Sequence, residues 1–282
     1  MKIISLPAEL TVDDSSPITI YDYNSSQEIS KQQIILTKNT FSFLVKGTKE
    51  VIMDNSSLAI NNAEFLLMKA GHCLMTEKLS NSDQHYRSIL LFFSNEAVLQ
   101  FIRKFELRPV AKPKPQSVQS FSYDAFINGF IKSLIDITRL PQKTQRKLME
   151  LKFEEIMLYL VETKGADFLF SITTFTDNQT QHFINVVENN KLNKLTLKEL
   201  AFLANMSISS FKREFQKCYA EPPIKWFQDR RLEYASYLLK QEKRRPSDIY
   251  LEIGYENLSS FIQAFKIKFG VTPKQYREHL SF

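Results

Sequence analysis

The chain has 282 residues, 43% of them hydrophobic, with 23 Phe and a formal net charge of +6. That supply of apolar side chains excludes global disorder, and the length fits two folded domains. No apolar run reaches the ~20 residues that span a bilayer, and Met1 to Pro7 is too short for a leader, so a cytoplasmic, nucleoid-associated protein is expected.

Along the chain, Ile18 to Tyr23, Phe41 to Val45, Val51 to Met53, Leu58 to Ile60, Phe65 to Met68 and Tyr86 to Phe93 alternate as short strands do. Turn-rich pieces such as Lys46-Gly47-Thr48 and Asn61-Asn62 separate them, which predicts a small antiparallel β-barrel or sandwich. Beyond it, Glu96 to Phe105 reads as a helix, Pro109 to Pro115 as an extended loop, and Phe121 to Thr138 and Gln142 to Thr163 as longer amphipathic helices. Leu151 and Leu158 mark the apolar side of the last helix, a candidate seam for self-association. An effector pocket in the barrel would be lined by Phe41, Phe43, Phe65, Met68 and Phe92, although aromatic residues in strands more often form core. The chain has only four His, and His72 and His85, the two in the barrel, are a poor metal site. With six Gly and no nucleophile, base and orienter at a recognisable spacing, no catalytic residue, metal or cofactor is expected. Cys73 and Cys218 lack metal-type spacing and read as free thiols, with Cys218 expected in a core. The polar stretch Phe170 to Gln179 reads as a linker between residues 1–169 and 180–279.

Residues 207 to 226 recur at 257 to 276 with an offset of 50. Ser209, Ser210, Phe211, Phe215, Tyr219, Ala220, Pro223 and Trp226 fall on Ser259, Ser260, Phe261, Phe265, Phe269, Gly270, Pro273 and Tyr276. Aromatic residues every four positions form one helix stripe, and a proline three residues past a small residue restarts the chain as a new helix. Opposite the stripe lie Ser209, Lys212, Arg213 and Gln216, and at offset 50 Ser259, Ile262, Gln263 and Lys266. Each polar arc can meet base edges and phosphates. An amphipathic segment precedes each helix, Leu197 to Ala204 and Ile249 to Ile253, in the order of a helix-turn-helix reader. Thr196 with Glu199 has capping-box spacing, Ser207 and Asn257 start the two reading helices, and Thr272 precedes Pro273 as an N-cap. Between the units, Trp226, Leu232, Ala235, Leu238 and Leu239 are spaced as the buried side of one helix from Ile224 to Lys240. Charge agrees: residues 182 to 282 carry 17 Lys plus Arg against 11 Asp plus Glu, whereas residues 1 to 181 carry 20 of each.

Asp248-Ile249, Ile253-Gly254-Tyr255, Ser260-Phe261, Phe265-Lys266, Phe269-Gly270-Val271-Thr272-Pro273 and Tyr276-Arg277 together resemble the C-terminal signature of the AraC/XylS family of bacterial transcription regulators. Leu200-Ala201 and Arg230-Arg231 fit the same pattern, and the match spans about residues 180 to 279. The resemblance implies two helix-turn-helix motifs joined by a linker helix, with Ser209, Lys212 and Arg213 at base-reading positions. The full candidate DNA face is then Ser209, Ser210, Lys212, Arg213 and Gln216, with Ser259, Ser260, Ile262, Gln263 and Lys266. Two departures stand out. Tyr250 occupies the place of a small alanine, aligned with Ala201, so a more open helix packing is expected there. Ile262 and Gln263 replace the usual Arg or Thr, which leaves two expectations open: weaker reading by the second motif, or an altered preference in which Ile262 meets a thymine methyl and Gln263 an adenine edge.

Barrel followed by helices is similar to the cupin-type sensing and dimerisation domains of that family, and Leu151 to Met157 is similar to the activators of type III secretion. What the resemblance implies is a sequence-specific regulator, in the first instance an activator. Its partners would be double-stranded promoter DNA and RNA polymerase, with a small-molecule or protein effector and a second copy of the chain left open. An architectural DNA-binding protein and a cupin enzyme fused to a reader are the alternatives.

Overall fold

A computed structural model describes residues 2–10, 12, 15–82, 84–109, 116–173 and 179–278. The chain divides into two compact units, Met1–His182 and Phe183–Phe282. In the first, β1 (Ile4–Leu6), β3 (Ile29–Leu36), β8 (Gly71–Lys78), β5 (Thr48–Ile52) and β6 (Ser57–Ile60) form one sheet in that order. The other sheet runs β10 (Val118–Ser122), β7 (Glu64–Met68), β4 (Asn39–Lys46), β9 (Tyr86–Phe93) and β2 (Ile18–Ser25). Every pairing is antiparallel except β1 with β3. Each sheet keeps its own edge strands, so the expected antiparallel β-fold is present as two open sheets and not as a closed barrel.

The two-residue period of a strand explains the layering. In β4, Phe41 and Phe43 face a core shared with Phe65, Leu67, Ile89, Leu91 and Phe93 and with the helices that follow. Leu44 faces the other way, into a core with Ile34, Leu36, Val51, Met68, Cys73 and Met75 between the sheets. The covering helices are α1 (Asn95–Lys104), α2 (Ala125–Thr138), α3 (Gln142–Lys164) and α4 (Asp167–Thr173). Helix α3 buries Met149, Phe153, Ile156, Met157 and Leu160, and Leu158 packs partly on the same core. Leu151 is left 62% exposed.

Several elements depart from the sequence reading. Strands β1, β3, β8 and β10 were not expected. Lys31-Gln32-Gln33 gives β3 a polar centre, and a register shift with Lys31 at φ 48° breaks its alternation. Phe121 closes β10 and does not begin a helix; α2 starts after Asp124, whose carboxylate accepts the Ile127 N–H. Residues 170 to 173 are not linker but the end of α4, with Ser171 and Ile172 buried and Gln119 donating to Ser171 Oγ at 2.7 Å. Of the rest of the expected linker, Gln179 begins the next helix, while 174–178, the loop at 110–115 and the domain end at His279 lie outside the described residues.

Helix α5 (Gln179–Asn189) leads into the second unit, which continues with α6 (Leu197–Leu203), α7 (Ile208–Tyr219), α8 (Pro223–Lys240), α9 (Pro246–Ile249), α10 (Leu258–Phe269) and α11 (Pro273–Glu278). Boundaries follow from local chemistry. Thr196 and Glu199 close a capping box on α6, and Ser207 and Asn257 accept the Ser210 and Ser260 N–H groups. Ala220 at φ 56° and Gly270 at φ 78° end the two repeated helices in the left-handed conformation. The N-terminal half of α8 packs Trp226 and Phe227 against Phe215, while its C-terminal half packs Leu232, Ala235, Leu238 and Leu239 against Ile249, Ile253, Phe261 and Phe265.

The two motifs are unequal. Ala201 is buried within a seven-residue helix, whereas Tyr250 caps the four-residue α9 and lies half-buried on the second core. The expected helix from Ile249 to Ile253 is therefore a shorter one that begins at Pro246, and the larger side chain is accommodated where the helix stops. Cys218 is exposed, contrary to expectation, because three residues past Phe215 it has turned to the flank of α7.

Candidate nucleic-acid interface

On α7, Phe211 and Phe215 are fully buried and hold the helix against Phe183 of α5. Ser209, Lys212, Arg213 and Gln216 are exposed on the opposite arc. Ser210 is half-buried, its hydroxyl accepting from Ser207 Oγ at 2.9 Å and its N–H donating to the same oxygen at 3.1 Å. Among the described residues neither Lys212 nor Arg213 has an ion-pair partner, whereas Lys217, one turn beyond Arg213, pairs with Glu214 at 3.3 Å. The arc thus presents two uncommitted cations, one of them a five-donor guanidinium, beside short hydroxyls.

Helix α10 repeats the arrangement with a different character. Phe261 and Phe265 are buried, Ser259, Ser260, Gln263 and Lys266 are exposed, and Ile262 is half-buried. Ile267 is 78% exposed, one turn beyond Gln263 on the same face. The sequence reading missed it because its counterpart at offset 50 is Lys217, outside the arc drawn around Arg213. Its signal was a second apolar residue, after Ile262, on an otherwise polar helix face.

Several charges away from the arcs are paired. Arg230 lies over the Trp226 ring at 5.1 Å and pairs with Glu233 at 2.7 Å, and Arg244 pairs with Glu252 at 2.7 Å. Partial burial pushes the Glu233 carboxyl up, but hydrogen bonds from Lys268 and Arg230 outweigh it and hold the group below the usual carboxylate range. Burial draws the Arg231 guanidinium below its ordinary value, with Tyr255 opposing. Gly254 holds φ +94°, a conformation that strains any L side chain, and a Cβ there would also press on Arg231 Nη1 at 3.1 Å, so glycine is favoured.

In the first unit the expected pocket residues divide between two places. Phe41, Phe43 and Phe65 pack under the helices, while Met68 and Phe92 line a cavity of about 280 Å³ on the other side of their sheet. Beside them a Lys49–Glu77 ion pair of 3.1 Å spans neighbouring strands with side chains only 2% and 5% exposed. Burial pushes the Cys73 thiol up to about 12. His85 Nε2 meets Asn24 Oδ1 at 3.3 Å, and among the described residues no group of three or more His, Cys, Asp or Glu could hold a metal ion. No helix among them is long and apolar enough to cross a membrane.

Two helix pairs on one connecting helix, each with a capped second helix whose polar arc is turned away from its core, define a helix-turn-helix transcription regulator with a second, sheet-based unit. Residues 39–172 match the model of the ExsA N-terminal regulatory domain, and residues 200–279 match that of a helix-turn-helix domain. The HTH-type transcriptional regulator ExsA of Pseudomonas aeruginosa is 24% identical over 83% of this chain and 84% of its own. The virulence regulon transcriptional activator VirF of Yersinia enterocolitica is 30% identical over 60% of this chain and 62% of its own. The thermoregulatory protein LcrF of Yersinia pestis is 31% identical over 46% and 48%. Among solved structures, ToxT from Vibrio cholerae aligns over 94% of this chain and 98% of its own, with 13% identity and a TM-score of 0.46. Both parts of the chain are thus similar to HTH-type transcription regulators, in keeping with the resemblance to the AraC/XylS family.

Proposed function

We propose that this protein is a sequence-specific transcription activator that lays α7 and α10 in two successive major grooves of promoter DNA. Arg213 is the principal base reader, Lys212 supports it or meets phosphate, and Ser209, Ser210 and Gln216 complete the first contact. Ser259, Ser260, Ile262, Gln263 and Lys266 form the second. The observation that carries this reading is the unpaired Lys212–Arg213 face opposite two fully buried phenylalanines, on a helix repeated 50 residues later. Sequence reading resides in residues 180–279, and the part before 170 regulates it. RNA polymerase is a further partner. A second copy of the chain docks through the face of α3 around Leu151, which the core leaves open. An effector, where one acts, enters the cavity beside Met68 and Phe92.

Selection of bound DNA from a random pool tests the reading. The expected product is a motif of two boxes about 10 base pairs apart, one helical turn of ~34 Å. Little discrimination between selected and random DNA would identify an architectural binder instead.

A further inference from the structure

We propose that Lys268 is a positioning residue: by clamping α10 onto α8 it fixes the spacing at which the two reading helices meet DNA. The inference rests on the two-groove reading above and names the device that sets its geometry.

Lys268 sits on the flank of α10, outside the polar arc, and its side chain is only 20% exposed. Its ammonium lies 3.0 Å from Asp229 Oδ1, 3.1 Å from the Asp229 carbonyl and 3.1 Å from Glu233 Oε1. Two of its hydrogens go to the Asp229 carbonyl and to Glu233 Oε1, and the adjoining Asp229 carboxylate holds the ammonium toward α8. Asp229 and Glu233 are four residues apart on α8 and therefore share one side of it. On that side Glu233 also takes the Arg230 guanidinium at 2.7 Å, and Arg230 covers the Trp226 ring. Trp226 in turn meets Tyr219 at 4.8 Å and Phe215 at 5.6 Å, both on α7. A continuous chain of contacts thus runs from the first reading helix through Trp226, Arg230, Glu233 and Lys268 to the second.

The two ends of that chain differ in kind. The offset of 50 places Cys218 opposite Lys268, and Cys218 is exposed. Aromatic packing holds both helices, α7 on Phe183, Trp226 and Phe227 and α10 on Tyr255 and Tyr276, so the Lys268 contacts are an addition made at α10 alone. Apolar packing of Phe261 and Phe265 also holds α10 to α8, but such packing is non-directional and permits small rotations. Charge-assisted hydrogen bonds have a fixed direction and oppose them. A partly exposed ion pair contributes little to overall stability, so its expected effect is on the angle of α10 and not on folding.

The test uses the full-length protein and the selected two-box site with its spacer changed by one base pair, which moves one box by about 3.4 Å and about 35° around the axis. Wild type should lose about 10-fold in affinity for either change, comparable to one mismatched base pair. Lys268→Met should bind the optimal spacer within about 3-fold of wild type and lose less than about 3-fold on either altered spacer, a looser clamp trading precision for tolerance. An unchanged spacing penalty in Lys268→Met overturns the proposal. So does equal weakening at every spacing with a shallower salt dependence, which would make Lys268 a phosphate contact. Should Lys268→Met fail to fold by circular dichroism, Asp229→Asn combined with Glu233→Gln keeps the lysine and is judged by the same criteria. A wild-type protein indifferent to spacing would refute the two-groove reading itself, a result distinct from a variant that keeps a penalty wild type displays.

Discussion

Replacing Arg213 by Ala removes a side chain that is exposed and has no ion-pair partner among the described residues, so nothing within the fold is lost with it. Arginine and alanine are both good helix formers, and α7 is anchored by Phe211 and Phe215 on its other side. Unfolding stability should therefore change by no more than ~0.5 kcal/mol. Binding is another matter. A guanidinium that bonds O6 and N7 of a guanine bidentately is worth ~1–3 kcal/mol of discrimination, a loss of about 5- to 150-fold at the selected site. Fluorescence anisotropy on the selected duplex and on a scrambled one measures both terms. Affinity for the scrambled duplex should fall far less, since only a phosphate attraction is at stake there, and the variant should tolerate substitutions at one or two base pairs. Arg213→Lys separates charge from geometry, because lysine keeps the charge and loses the fork, and it should behave nearer to alanine on the selected site. Equal weakening on both duplexes, with a salt dependence shallower by about one phosphate contact, would refute direct base reading by this residue.

Leu151→Glu places a charge on the open face of α3 and should yield a folded monomer by light scattering, while Leu158→Glu, half-buried on the core, should lower the melting temperature. A Leu151→Glu protein that remains dimeric removes that face as the seam. Lys49→Met strands Glu77 as an unpaired buried carboxylate and should cost ~3–5 kcal/mol in denaturant unfolding, most of it recovered in Lys49→Met with Glu77→Leu, since an apolar pair needs no counter-charge. A double variant no more stable than the single one would show that the pair has a role beyond neutralising charge. Maleimide should label the native chain once, at exposed Cys218, and a second time only after unfolding, because Cys73 is buried and its thiol stays protonated up to about pH 12. Rapid native labelling of Cys73 would mean that the sheets part in solution.

What could be read directly was whatever repeats or caps. The aromatic period of α7 and α10, their N-caps at Ser207 and Asn257, and the polar arcs opposite were legible because each depends on neighbours within one turn of helix. Strands β3 and β8 were not, since their cross-strand pairing buries polar residues that sequence alone assigns to the surface. Gln33, Lys49 and Glu77 are all buried, and only the opposing strand explains how. Tyr250 illustrates the same limit at the reading unit. Alignment with Ala201 marked it as a misfit, but where its bulk goes depends on α9 ending at Ile249, a tertiary fact. Lys268 is the extreme case. By sequence it is one more basic residue in a basic domain, indistinguishable from Lys266 two positions earlier. Only its distances to Asp229 and Glu233 separate a cation held inside the protein from one left for DNA. Net charge therefore overstates the reading surface. Of the basic residues that give the second unit its charge, Arg230 and Lys268, paired along α8, shape the proposed reader, and exposed Lys212, Arg213 and Lys266, which have no ion-pair partner among the described residues, remain available to the proposed DNA contact.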